Sequence, residues 1–168
     1  MLYCGRFTLT LSRPLIMGIV NVTPDSFSDG GRHDTASAVA HALRLIGEGA
    51  DILDIGGEST RPGALPVPLD EELRRVIPVV EALHGENIPL SVDTCKPTVM
   101  AAAIVAGAAM INDVDALQAE GALQAVADSG VAICLMHKLG TPQTMQQAPH
   151  YDDALAEVMA FLKARMAA

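Results

Sequence analysis

Five short apolar runs in this chain each lead into polar side chains, and those side chains are the ones placed to do chemistry. Asn21 ends the run 15–20. Asp54 lies inside the run 52–55, which leads into Gly56-Gly57-Glu58-Ser59-Thr60-Arg61-Pro62-Gly63. Asp93 and Thr94 follow 89–92, Asn112 and Asp113 follow 109–111, and His137 and Lys138 close the run 131–136. A carboxylate at the end of an apolar strand, such as Asp93, is a natural acceptor for two parallel N–H donors. Asn112 offers both a donor and an acceptor, so it can read the edge of a flat heterocycle. Arg61 presents a planar fork that suits phosphate, and Thr60 adds a hydroxyl. Met136 carries a thioether that adapts to an aromatic face. Each also has a plainer reading. Asp93 serves equally as a capping acid ahead of Pro97, Asn112 as a turn residue, and Arg61 as a solvated loop charge.

The elements that must carry these groups alternate. These short runs, bearing Ile or Val and bounded by Gly, Pro and Asp, read as buried strands. Between them lie helical patterns. Thr35 is expected to cap a helix with Val39, Leu43 and Ile46 on one face, ending at Gly47 and Gly49. Leu69, Leu73, Val76, Val80 and Leu83 mark a second helix, with Asp70, Glu71 and Glu72 in the first turn, where the dipole favours acids. Pro97 opens a third, residues 117–127 form a fourth, and a last helix starts near Tyr151. Residues 2–12 alternate weakly and fit a small hairpin. Repeated strand–helix units with near-continuous apolar strands imply an α/β fold on a parallel sheet. An open doubly wound sheet and a TIM (β/α)8-type barrel compete. No Gly-x-Gly-x-x-Gly follows a strand, and polar groups crowd one end of all five strands, as in a barrel enzyme.

Composition narrows the classes of partner. The 168 residues can bury a core as one domain, 1–168, that is half apolar with only 3% aromatic residues and no Trp. A net charge of −9 excludes a nucleic-acid surface built from clustered Lys and Arg. The three cysteines show no metal spacing and read as reduced thiols of a cytoplasmic protein. The uncharged stretch 97–112 is too short to span a bilayer, so no membrane association is expected.

The segments 17–31 (MGIVNVTPDSFSDGG), 49–64 (GADILDIGGESTRPGA), 90–97 (LSVDTCKP), 109–113 (AMIND) and 134–137 (CLMH) closely resemble the dihydropteroate synthase family. They occur in order over nearly the whole chain. The resemblance implies a transferase of folate biosynthesis, a sulfonamide target. It joins 6-hydroxymethyl-7,8-dihydropterin pyrophosphate to 4-aminobenzoate and releases pyrophosphate, with Mg²⁺, on a (β/α)8 barrel. It implies that Asp93 and Asn112 bind the pterin, with Asp54 in the same pocket and Met136 on the ring face. Asn21 would meet the metal, while Thr60 and Arg61 would serve aminobenzoate and pyrophosphate. Phe27 and Asp29 would stand over the reacting centre, Phe27 in the arylamine pocket and Asp29 facing the cationic methylene-pterin that forms when pyrophosphate leaves. Gly30-Gly31 and Pro62-Gly63 would let the two loops close. Family members are expected to form homodimers.

A complete barrel has eight such units and typically about 250 residues; only five are counted here. The family's later Asp-Pro-Gly strand end, Lys-bearing loop and Arg–His pair are absent from these residues. The expectation is therefore an incomplete barrel, truncated on the C-terminal side and inactive alone. The alternatives are a non-catalytic fragment that binds pterin weakly or needs a partner chain, and a pterin-binding methyltransferase of the methyltetrahydrofolate type.

Overall fold

The computed structural model describes residues 1–22, 32–61, 63–141, 144–146 and 148–168, with the backbone alone at 32–34. The first strands, β1 (Leu2–Cys4) and β2 (Phe7–Leu9), pair antiparallel. Five strand–helix units follow: β3 (Met17–Asn21) and α1 (Arg32–Gly47), β4 (Ile52–Gly56) and α2 (Leu69–Leu83), β5 (Leu90–Asp93) and α3 (Pro97–Ala106), β6 (Met110–Asp113) and α4 (Ala122–Val126), β7 (Ala132–Leu135) and α5 (Ala154–Met166). The five strands run parallel in the order β3-β4-β5-β6-β7. Each new strand adds to the same edge, with no reversal of order. A doubly wound sheet needs that reversal, so the barrel-type arc is the architecture.

Register divides the side chains between two faces. Val20, Ile55, Val92, Ile111 and Ile133 are successive cross-strand neighbours. The first four are fully buried against Ala38 and Ala42 of α1, Val76, Val79, Val80 and Leu83 of α2, and Met100 and Ala103 of α3. Alternation sends the intervening residues to the other, inner face. At its lower end Ile52, Met110 and Ala132 pack with Cys4, Leu2, Phe7 and Leu9, so the hairpin forms a floor. The upper end carries the polar groups.

Local boundaries depart from the sequence reading where side chains capture backbone. β3 begins at Met17, not Leu15, because Asp51 takes the Ile16 N–H at 2.8 Å while Arg13 grips the same carboxylate. α1 already runs from Arg32, so Thr35 lies inside it and is not its cap. α4 is a short helix that starts at Ala122. Residues ahead of it are held in turns: the Asp113 carboxylate accepts from the N–H groups of Asp115 and Leu117 at 2.8 and 2.7 Å, and Ala116 and Leu117 have φ of 53° and 57°. α5 starts three residues after Tyr151, with Asp153 accepting from Ala156 N at 3.0 Å.

Candidate active site

The uppermost level of the inner face is the row Asn21, Gly56, Asp93, Asn112 and Cys134, one residue from each strand in register. The level beneath, two residues earlier and on the same face, is Ile19, Asp54, Ser91, Met110 and Ala132. Parallel pairing thus gathers Asn21, Asp54, Asp93 and Asn112 on one surface. Asn112 donates from Nδ2 to Asp54 Oδ2 at 3.1 Å across the intervening strand. Asp54 is 5% exposed, and its other oxygen, Oδ1, has no hydrogen-bond partner among the described residues; neither has the buried Ser91 hydroxyl. A buried acceptor left unpaired is costly, and an incoming donor relieves it.

Electrostatics set the same surface against its own charge. Burial pushes the Asp93 carboxyl from the usual 3.8 up to about 7, with the charges of Asp54, Asp113, Glu72 and Glu58 adding to the effect. Burial also raises Asp113, against the two N–H groups that stabilise its anion. The Cys134 thiol, exposed on the upper row, is pushed up by burial of its sulfur and by Asp54 and Asp93, which keeps it protonated. The surface is rich in acids and short of N–H donors to pair with them. A ligand edge with two N–H groups supplies what it lacks.

Other expected residues lie in the loops that follow β4 and β7. Thr60 is half-buried and Arg61 exposed in the β4–α2 loop. The Arg61 backbone N–H reaches Ser59 Oγ at 3.4 Å, and no carboxylate pairs with its guanidinium among the described residues. Met136 follows β7 and is 38% exposed. His137 packs edge-on against Phe161 at 4.9 Å. Lys138 pairs with Asp115 at 2.7 Å. Phe27 and Asp29 lie outside the described residues, as does Pro62. Among the described residues no group of three or more His, Cys, Asp or Glu side chains is arranged to hold a metal.

Sequence reasoning missed a group behind the site. Glu72, expected only as a first-turn acid favoured by the dipole of α2, is fully buried. It accepts from the Thr94 hydroxyl at 2.6 Å and from Lys96 Nζ, which also meets Glu58 Oε2 at 2.6 Å. The buried face of α2 is accordingly Glu72, Val76, Val79, Val80 and Leu83, rotated from the expected one; Leu69 is 41% exposed. The one mark of Glu72 in the sequence is its place four residues before Val76, which does not tell a buried acid from a first-turn one. Burial alone disfavours the Lys96 ammonium, but its hydrogen bonds with Glu58 and Glu72 outweigh that and raise its pKa.

With this geometry in hand, the class of protein follows from comparison. The family model of the pterin binding enzymes matches residues 17–168, and the chain belongs to that family. Within it the chain is similar to dihydropteroate synthases. The synthase of Escherichia coli (strain K12) is 54% identical over 159 residues, 94% of this chain and 56% of its own length. Among solved structures, the Burkholderia cenocepacia dihydropteroate synthase complexed with 7,8-dihydropteroate has a TM-score of 0.87 at 56% identity, covering 98% of this chain and 56% of that one. The Xanthomonas albilineans dihydropteroate synthase with 4-aminobenzoic acid has a TM-score of 0.84 at 65% identity, covering 94% of this chain and 56% of that one. The chain spans a little over half the length of these relatives.

Proposed function

We propose that these residues carry the pterin- and phosphate-holding part of a dihydropteroate synthase, which condenses 6-hydroxymethyl-7,8-dihydropterin pyrophosphate with 4-aminobenzoate. The observation that carries the reading is the pair of donor-starved carboxylates: Asp54 Oδ1 buried without a partner, and Asp93 held up to about 7 beside it. The pterin's amidine-like edge brings two N–H donors, and Asn112 is oriented by Asp54 to read the neighbouring ring atoms. Met136 packs on the ring face. Thr60 and Arg61 hold the pyrophosphate and aminobenzoate end, and Arg61 has its fork free to do so among the described residues. The C–O bond to pyrophosphate breaks, the arylamine nitrogen forms the new C–N bond, and that nitrogen loses a proton. Phe27 and Asp29 keep the roles at the reacting centre that the family likeness implies.

A magnesium ion fits this donor set in one way. Asn21 sits exposed at the end of β3 and offers a hard amide oxygen, and Mg²⁺ characteristically takes one or two protein ligands together with phosphate and water. When bound there, the ion would neutralise charge on the departing pyrophosphate. The same reading includes a cytoplasmic homodimer as the whole assembly. No helix among the described residues is long and apolar enough to cross a membrane.

A second reading is favoured by the donor-starved carboxylates themselves, which hold a ring edge without supplying a reacting group. On it, the 168 residues bind pterin without turning it over. Two measurements on the chain separate the readings. Calorimetric titration with 7,8-dihydropteroate is expected to give saturable binding, weakened about tenfold or more by Asn112→Leu, which leaves Asp54 unpaired. Formation of 7,8-dihydropteroate with Mg²⁺ then distinguishes enzyme from binder. Absence of binding at millimolar ligand would refute both.

A further inference from the structure

We propose that Lys96 is a positioning residue: it latches the β4–α2 loop, which carries Thr60 and Arg61, to the end of β5, which carries Asp93, so that the phosphate-holding and ring-holding parts of the site keep a fixed spacing. The inference rests on the roles of Arg61 and Asp93 proposed above.

The connections are continuous. Glu58 stands two residues before Thr60, and its Oε2 accepts both from Lys96 Nζ at 2.6 Å and from the backbone N–H of Val67 at 2.7 Å. One carboxylate therefore pins both ends of the loop 58–67. Arg75 of α2 adds a bond to the Gly57 carbonyl at 2.8 Å. On the other side, the Lys96 backbone N–H donates to Thr94 Oγ1 at 3.2 Å, and Thr94 adjoins Asp93. Thr94 in turn donates its hydroxyl to Glu72 at 2.6 Å and its N–H to the Asn112 carbonyl at 3.0 Å. Lys96 and Glu72 close the circuit. Without Lys96, the described side-chain links between the two halves run only indirectly through α2, by Arg75 to Gly57 and Glu72 to Thr94.

Stability does not account for this arrangement. Exchanging a buried ion group for apolar side chains of similar volume is often neutral or favourable, and α2 already packs through Val76, Val79, Val80 and Leu83. What the ion group adds is a fixed distance between two loops that have no apolar contact of their own in the core clusters.

The test uses the 168-residue chain with Lys96→Met, Lys96→Arg and Glu58→Gln. The last keeps the Lys96–Glu72 pair and so guards against loss of folding from an uncompensated Glu72. Amide hydrogen exchange at Val67 is expected to speed up about tenfold in Lys96→Met and Glu58→Gln, with Val79 and Val80 unchanged, and to recover in Lys96→Arg. Titration with inorganic pyrophosphate and Mg²⁺ is expected to show about tenfold weaker binding in Lys96→Met, again recovered by Lys96→Arg. Unchanged Val67 exchange in a folded variant overturns the latch. Faster exchange with unaltered pyrophosphate affinity also overturns it, since the lysine would then be structural only. If the parent chain binds no pyrophosphate, the role of Arg61 fails, and the exchange result alone decides for or against the latch.

Discussion

Asp93→Asn should make the protein more stable in alkaline solution while leaving acid stability nearly unchanged relative to the parent. The carboxyl holds its proton to about pH 7 in the fold and releases it near 3.8 when unfolded. Between those values the folded state binds more protons, so stability falls as pH rises, fully present below 3.8 and lost as pH passes 7. At about 1.4 kcal/mol per pH unit the interval amounts to about 4 kcal/mol, and partial exposure of the side chain reduces this to about 2–4. Asn cannot ionise, so it removes this slope. Any cost of its own amide is independent of pH. The assay is urea denaturation of both proteins from pH 4.5 to 8.5, comparing the difference in unfolding free energy across the series. It should grow by about 2–3 kcal/mol in favour of the variant. Parallel pH curves for the two proteins would refute the placement of Asp93 among uncompensated acids. A ligand with two N–H donors should flatten the parent's slope in the same experiment.

Two further substitutions probe the scaffold. A Cβ at Gly57 would stand 2.8 Å from Val76 Cγ2 and 3.1 Å from Glu72 Cγ, so Gly57→Ala should cost about 1–3 kcal/mol in urea denaturation; an unchanged midpoint would mean that α2 shifts freely. Glu72→Ala strips Thr94 of its acceptor and leaves Lys96 only Glu58. The expected loss is about 3 kcal/mol, and a loss under about 1 would contradict the buried pairing.

The inner face was legible from residue order because parallel pairing is regular: once five strands end in polar groups, register alone gathers Asn21, Asp54, Asp93 and Asn112. A hairpin within residues 2–12 was equally within reach, since weak alternation marks it; that it floors the sheet was not. Glu72 was not. A periodicity of apolar residues cannot show that a carboxylate turns inward when its partner, Lys96, lies 24 residues on in another unit. The start of α4 was hidden for a similar reason. Leu117 continues the helical pattern, but the Asp113 side chain captures its N–H and fixes a left-handed turn. Such local captures are set by side-chain oxygen positions, which hydrophobic spacing does not encode.

The floor hairpin also orders events in time. Gly5 N donates to the Gly130 carbonyl at 3.2 Å, Arg6 reaches the carbonyls of His84 and Glu86, and Cys4 packs with Ala132. Gly5 and Cys4 therefore find these neighbours only once Gly130 and Ala132 are in place. Contacts so distant along the chain close slowly, because the intervening loop entropy must be met before they form. Until β7 pairs, the floor under Leu2, Phe7 and Leu9 consists of Met17, Ile52, Ala109 and Met110 without Ala132, so the apolar layer at the base of the arc is sealed by its most distant strand.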